Sequence, residues 1–235
     1  MDQQHPVFTN DTIRWQRSRN PGIMRAAEWQ ETMGRGVKVL VMDTGFSDYS
    51  PHLKPREVRS FVPTQGPECV DGHGDVVCRI IASGDPFALG VAPHCELYVA
   101  KVAGGPLSWN AYLDAMDWAM DLGVGVINFS LAFTEHNQEF GLKLAQADYA
   151  GVIIVAAHNP VHHWPHSEDS VISAGTKKGC DVVASVTPHN NFKYRDGRPF
   201  VGTSASSATV AGMAACAKSF DPRINRVDFV ATIRG

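Results

Sequence analysis

VKVLVMDTG, residues 37–45, opens with five apolar side chains and a single lysine. A run of that kind has no polar face to turn to water. It reads as a strand buried on both sides, the habit of a parallel sheet covered by helices. The strand runs into Asp43, which places a carboxylate at its C-terminal edge, where sites assemble in doubly wound sheets.

Outward from this strand the hydrophobic period alternates. In GDVVCRIIAS, 74–83, the apolar residues Val76, Val77, Ile80 and Ile81 fall on one helical face. ELYVAKV, 96–102, reads as a strand, 109–122 as an amphipathic helix, VGVINFSL, 124–131, as a strand, 138–150 as a helix and VIIVAA, 152–157, as a fully apolar strand. Such alternation predicts parallel strands joined by right-handed crossovers. The fold class is α/β: a doubly wound, mostly parallel sheet flanked by helices on both faces. Short extended pieces are expected at 171–174, 181–185 and 200–201, then a helix carrying GTSASSATVAG, 202–212, and a last helix over 226–233. Upstream, 1–20 reads as an irregular arm. Residues 21–33 read as a short helix with Ile23, Ala27 and Trp29 inward, stopped at Gly34 and Gly36. The polar, proline-rich stretch after Gly45, as far as Val70, carries no strand pattern. With neither internal repeats nor a low-complexity linker, 21–235 is expected to be one compact domain.

The 235 residues are 44% hydrophobic, enough for one substantial core, and the net charge of −3 gives no case for nucleic acid or an anionic membrane. No apolar run is long enough to span a bilayer, and the polar N-terminus lacks a signal-peptide layout. Five scattered cysteines without CxxC spacing read as reduced thiols, and a cytoplasmic location is expected.

Three residues fit one chemistry. Ser204 begins a small-residue helix, where the helix dipole and free N–H groups favour developing negative charge. His73 sits at a helix start between two glycines that allow close backbone approach. Asp43 ends a strand. A serine hydroxyl is a weak nucleophile until a base takes its proton, and that base needs an anion to fix its tautomer. Each residue alone has a plainer reading: a well-packed helix start, a hydrogen-bonded structural histidine, or an Asp cap before a turn. Asp43-Thr44-Gly45 also matches the DTG of aspartic proteases, which needs two such motifs and an all-β fold.

Together, VKVLVMDTG, HGDVVCRII (73–81), GVAPHCELYVAKV (90–102), VINFSL (126–131), AAHN (156–159) and GTSASSATVAG resemble, in order, the motifs of the subtilisin-like serine peptidases, the subtilases. The resemblance runs from about Trp15 to Gly212. It implies a serine endopeptidase with Asp43 as triad acid, His73 as base, Ser204 as nucleophile and Asn159 as oxyanion donor. The alternative is a subtilase-like groove that binds peptides without cleaving them. Departures stand at Asp75, Val76, Cys78 and Arg79, in place of the family's Thr, His, Ala and Gly, and at Ala208 in place of Pro.

By the same resemblance, a substrate strand lies between Gly104-Gly105-Pro106 and Ser130-Leu131-Ala132. The loop 159–165 walls the pocket for the residue before the scissile bond, His158 and Ala132 replace glycines along the groove, and His163 floors the pocket. This implies a preference there for small, polar or acidic residues. The Trp164–Pro165 bond is expected to be cis, as at the matched family position. The His158, His162, His163 and His166 cluster lacks zinc-site spacing. The family's calcium loops have only Asp85 as a counterpart here, so no metal or cofactor is expected. The expected partner is a protein or peptide substrate. By the same resemblance, 21–235 is expected to be a catalytic domain with no prosegment domain, its activity restrained by low intrinsic rate, narrow substrate choice or a regulatory protein.

Overall fold

The computed structural model describes residues 32–48, 50–184 and 192–234; the arm over 1–20 and nearly all of the helix expected over 21–33 lie outside them, as does Ser185. In chain order the elements are β1 (Lys38–Asp43), β2 (Glu57–Ser60), α1 (His73–Ala82), β3 (Gly84–Asp85), β4 (Ala88–Leu89), β5 (Glu96–Lys101), α2 (Trp109–Leu122), β6 (Val126–Phe129), α3 (Gln138–Tyr149), β7 (Ile153–Ala157), β8 (Ile172–Gly175), β9 (Val182–Val183), α4 (Thr203–Phe220) and α5 (Arg226–Arg234). Seven strands form one sheet in the order β2-β5-β1-β6-β7-β8-β9, all parallel, while β3 and β4 make a separate antiparallel hairpin. The winding reverses at β1. Strands β2 and β5 lie to one side of it and β6 onward to the other, so Asp43 sits at the topological switch point.

The pleat of each central strand feeds two cores. Val39 and Val41 of β1, Val126 of β6 and Ile153 and Val155 of β7 face α1 and α4; Leu40, Met42, Ile127, Phe129, Ile154 and Ala156 face α2 and α3. Full burial of each such aliphatic or aromatic side chain is worth about 1.5–3 kcal/mol. The α2/α3 side is filled by aromatics, with Trp109 and Trp164 in ring contact with each other and each with Phe133 and Phe140. The other side is built for close approach. Helix α4 is mostly Ala, Ser and Gly, and a Cβ at Gly212 would lie 2.6 Å from Val91 Cβ.

Strand β2 and the β3–β4 hairpin are structure where loop is expected. EVRS holds one apolar residue and pairs on one side only, with β5, so it carries no hydrophobic signature. The hairpin strands are two residues each, shorter than any periodicity. Conversely, residues 200–201 are not a strand: the bridge there joins Lys193 to Pro199, and Phe200 turns inward, buried. The Trp164–Pro165 bond is cis. Among the described residues, no helix is long and apolar enough to cross a membrane.

Candidate active site

Asp43, His73 and Ser204 meet at the C-terminal edge of the sheet, each delivered by a separate element. Asp43 closes β1 and is fully buried. Its Oδ1 accepts the Thr44 N–H at 2.7 Å and faces His73 Nδ1 at 2.7 Å. A carboxylate can only accept, so Nδ1 carries the proton and Nε2 is left as an acceptor. That nitrogen stands 3.2 Å from Ser204 Oγ, which also lies 3.2 Å from the Ser130 carbonyl oxygen. The single hydroxyl proton therefore has two acceptors within reach.

The approach of α1 to β1 requires glycine. A Cβ at Gly74 would lie 2.1 Å from the Gly45 carbonyl oxygen and 3.3 Å from Asp43 Oδ1. Gly72, with φ 75°, turns the chain into the helix. Around the imidazole, Asp71 Oδ1 accepts the His73 N–H at 2.9 Å and the Thr44 hydroxyl at 2.7 Å. Burial opposes charging of His73. The Asp43 charge, its hydrogen bond and the Asp71 charge outweigh that and hold the imidazole above its ordinary value of 6.5. The Phe200 ring packs edge-on against His73, centroids 5.3 Å apart. Beneath this cluster the Cys69 thiol lies 3.2 Å from Thr44 Oγ1, and its burial pushes its pKa up, so it stays protonated. Lys101, paired in register with Asp43 and 2% exposed, donates to the Glu68 carbonyl at 2.7 Å and tethers the loop that carries Asp71.

Ser204 lies in the first turn of α4, after Gly202 at φ 108°. A backbone N–H at that position has no partner within the helix. Ser130 Oγ donates to the Ser204 carbonyl at 3.2 Å and takes a bond from Asn128 Nδ2 at 3.0 Å, so the turn is held from β6. Asn159 follows β7 on the same edge of the sheet. Its Oδ1 accepts the N–H groups of Val161 and His162 at 2.9 and 3.0 Å, which fixes the amide and leaves Nδ2 as the donor end.

The expected groove residues divide. Ser130 is buried beneath the hydroxyl, and Leu131 and Ala132 are half-buried beside it. Gly104 and Gly105 are exposed, but 104–106 is a bend rather than a strand. Gly104 has φ 112°, and Gln65 Nε2 donates to its carbonyl at 3.1 Å. His158 is half-buried, and its ring packs against His166 with centroids 4.7 Å apart. His163 is turned to solvent, 6.3 Å from the His166 ring, and the buried imidazole is His166. The turn after Pro165, closed by Ser167 N–H on the His163 carbonyl at 3.1 Å, brings His166 back underneath.

His158 and His166 line a polar cavity of about 490 Å³ with Ser173, Cys180, Asp181 and Arg226. Burial, then His158 and His163, pushes His166 down to about 4. Among the described residues no three His, Cys, Asp or Glu side chains converge as a metal site requires. Asp85 accepts the Phe87 N–H at 2.9 Å within its own hairpin, a turn-closing bond rather than a ligand set that fits calcium.

Sequence reasoning missed Asp71, Thr44 and Phe200. An acid two positions before the histidine was a usable signal for the first; the packing of Phe200 left none.

The chain is similar to known proteins. A model of the subtilase family matches residues 34–178, a span holding Asp43, His73 and Asn159 and ending before Ser204. Alkaline elastase YaB of Bacillus sp. (strain YaB) is 30% identical over 97% of this chain, which covers 65% of that protein. An alkaline protease of Alkalihalobacillus alcalophilus is 31% identical over 86% of this chain, which covers 59% of it. Subtilisin Savinase of Lederbergia lenta is 31% identical over 86% of this chain and is covered to 83%. The chain thus spans less than two thirds of the first two relatives.

Proposed function

Because the chain belongs to the subtilase family, we propose that it is a serine endopeptidase. Ser204 Oγ attacks the scissile carbonyl while His73 Nε2 takes its proton, and Asp43 holds the tautomer and stabilises the imidazolium. The oxyanion forms between Asn159 Nδ2 and the Ser204 N–H, a reading supported by the Asn159 Oδ1 bonds to the Val161 and His162 N–H groups, which leave Nδ2 free to donate. His73 returns the proton to the leaving amine, and water then releases the acyl group. The observation that carries this reading is the unbroken series Asp43 Oδ1, His73 Nδ1 at 2.7 Å, and His73 Nε2 to Ser204 Oγ at 3.2 Å.

The test is covalent labelling by a fluorophosphonate. The wild type reacts and Ser204→Ala does not. A wild type that stays unlabelled, with the chain folded, sinks the reading. The residue before the scissile bond is small, polar or acidic, a preference supported by the half-buried His158 ring packed on His166 and by Ala132, half-buried two residues after Ser130. Efficient cleavage after Phe or Leu in a peptide library would overturn that part alone.

A further inference from the structure

Two of the departures in the histidine motif are charged, Asp75 and Arg79, and neither reaches the relay. Both reach across to the other segments that carry it. Asp75 is 2% exposed. Its Oδ1 accepts the N–H groups of Ser47 and Asp48 at 2.5 and 3.0 Å, so it holds the loop that leaves Asp43. Its Oδ2 lies 3.3 Å from an Arg195 guanidinium nitrogen, and Arg195 also donates to the Ser47 carbonyl at 2.6 Å. Arg79 pairs with Asp48 at 3.3 Å and donates to the Lys193 carbonyl at 2.6 Å.

Lys193 and Arg195 belong to the loop that runs into Phe200 and α4. That loop is closed on itself by the Tyr194 N–H on the Arg198 carbonyl at 2.9 Å, and Tyr194 packs on Phe200 at 5.3 Å. So one cluster joins the segment after Asp43, the helix that begins with His73 and the segment that leads to Ser204. Among the described residues, sheet hydrogen bonding does not join these three segments at the site itself. A carboxylate this buried is costly unless its partners are in place, so the cluster favours one arrangement of the three.

We propose that Asp75 and Arg195 are positioning residues for the Asp43–His73–Ser204 relay: their ion pair clasps the 193–199 loop to α1 and so sets how His73 faces Ser204. This rests on the serine peptidase reading above. The clasp acts through geometry rather than field, because the charges that govern His73 are those of Asp43 and Asp71. Its loss therefore lowers turnover without moving the pH at which His73 titrates. Ser130–Ala132, the segment expected to bind the substrate, follows β6 and takes no part in it, so substrate binding is spared.

The experiment uses the whole chain, a peptide p-nitroanilide with alanine before the scissile bond, and fluorophosphonate titration so that kcat is counted per reactive site. Arg195 is largely exposed, so Arg195→Met keeps the fold. It is expected to lower kcat per titrated site by about 10- to 100-fold, the scale of a sub-ångström to 1 Å misplacement of reacting groups. KM should stay within about twofold and the acid limb of the pH profile should not move. Arg195→Lys should recover part of the rate. In the double variant with Asp75→Asn the losses should not multiply, as for two ends of one contact. Unchanged kcat per site in Arg195→Met, even with a lowered Tm, overturns the clasp and leaves the peptidase reading intact. A wild type that neither labels nor turns over brings down both.

Discussion

Replacing Gly74 with alanine tests the claim that the contact between β1 and α1 sets the relay geometry. The added methyl would lie 2.1 Å from the Gly45 carbonyl oxygen, where real contacts essentially never fall below 3.0 Å, so something must yield by about 0.9 Å. Gly45 is held from the far side: the next N–H, of Phe46, is bonded to the Pro67 carbonyl oxygen at 2.9 Å. The first turn of α1 must move instead, and His73, one residue earlier, moves with it. If the shift lies along the bond to Ser204, the 3.2 Å contact opens to about 4.1 Å, beyond hydrogen-bond range. Turnover should then fall about 10²-fold, the cost of a 1 Å misplacement. Overpacking adds a stability loss of about 1–3 kcal/mol, seen as a Tm lower by about 2–12 °C for a chain of this size. Stopped peptide-nitroanilide assays, normalised to fluorophosphonate-titrated sites, measure the first; circular dichroism melts measure the second. Turnover within about threefold of wild type would refute the reasoning, since the helix start would then have yielded without carrying the imidazole along.

Other expectations follow from the same geometry. His73 must be neutral to accept a proton and its pKa is held above 6.5, so kcat/KM should fall as pH drops through a point above that value. Asp43→Asn should move that limb to lower pH and reduce kcat by about 10⁴, as loss of the triad acid does elsewhere. Asn159→Ala should cost about 10²–10³ in kcat with little change in KM, the range established for subtilisin, a relative of this chain. His166 is pushed down to about 4 against an ordinary 6.5, so between those values only the unfolded chain takes up its proton. Stability in urea should therefore decline as pH falls through that window, and His166→Gln should flatten the slope. Gly212→Ala, whose methyl would meet Val91 Cβ at 2.6 Å, should destabilise by about 1–3 kcal/mol while kcat per titrated site holds.

Much of this was legible in the chain because the signals were local and redundant. Helix α2 falls on 109–122 as its periodicity predicts, and the apolar runs of β1 and β7 leave no other reading. What escaped depends on distance in space. EVRS has no pattern of its own and is a strand only because β5 is beside it. Gly104 falls within the extended edge that the resemblance implies, yet its positive φ makes a bend. The resemblance implies His163 at the pocket floor; in the structure the turn after Pro165 leaves that ring exposed and buries His166. Asp75 was visible as a departure from the family's motif. Its meaning was not, because Arg195 lies 120 positions away and no spacing rule links them.

The sheet order has a consequence in time. Ser204 and His73 are separated by 131 positions, and the helix that carries the serine packs on β6, β7 and β8 as well as on α1. Long-range parallel pairing is the slow part of folding, because loop closure precedes the contacts that repay it. On that general rule the hydroxyl is expected to meet its imidazole late, once the central strands have assembled and α4 has docked. A chain with α4 undocked would hold Asp43, His73 and Ser204 in its sequence without the contacts that join them, so the candidate site is a product of the whole fold rather than of any one segment.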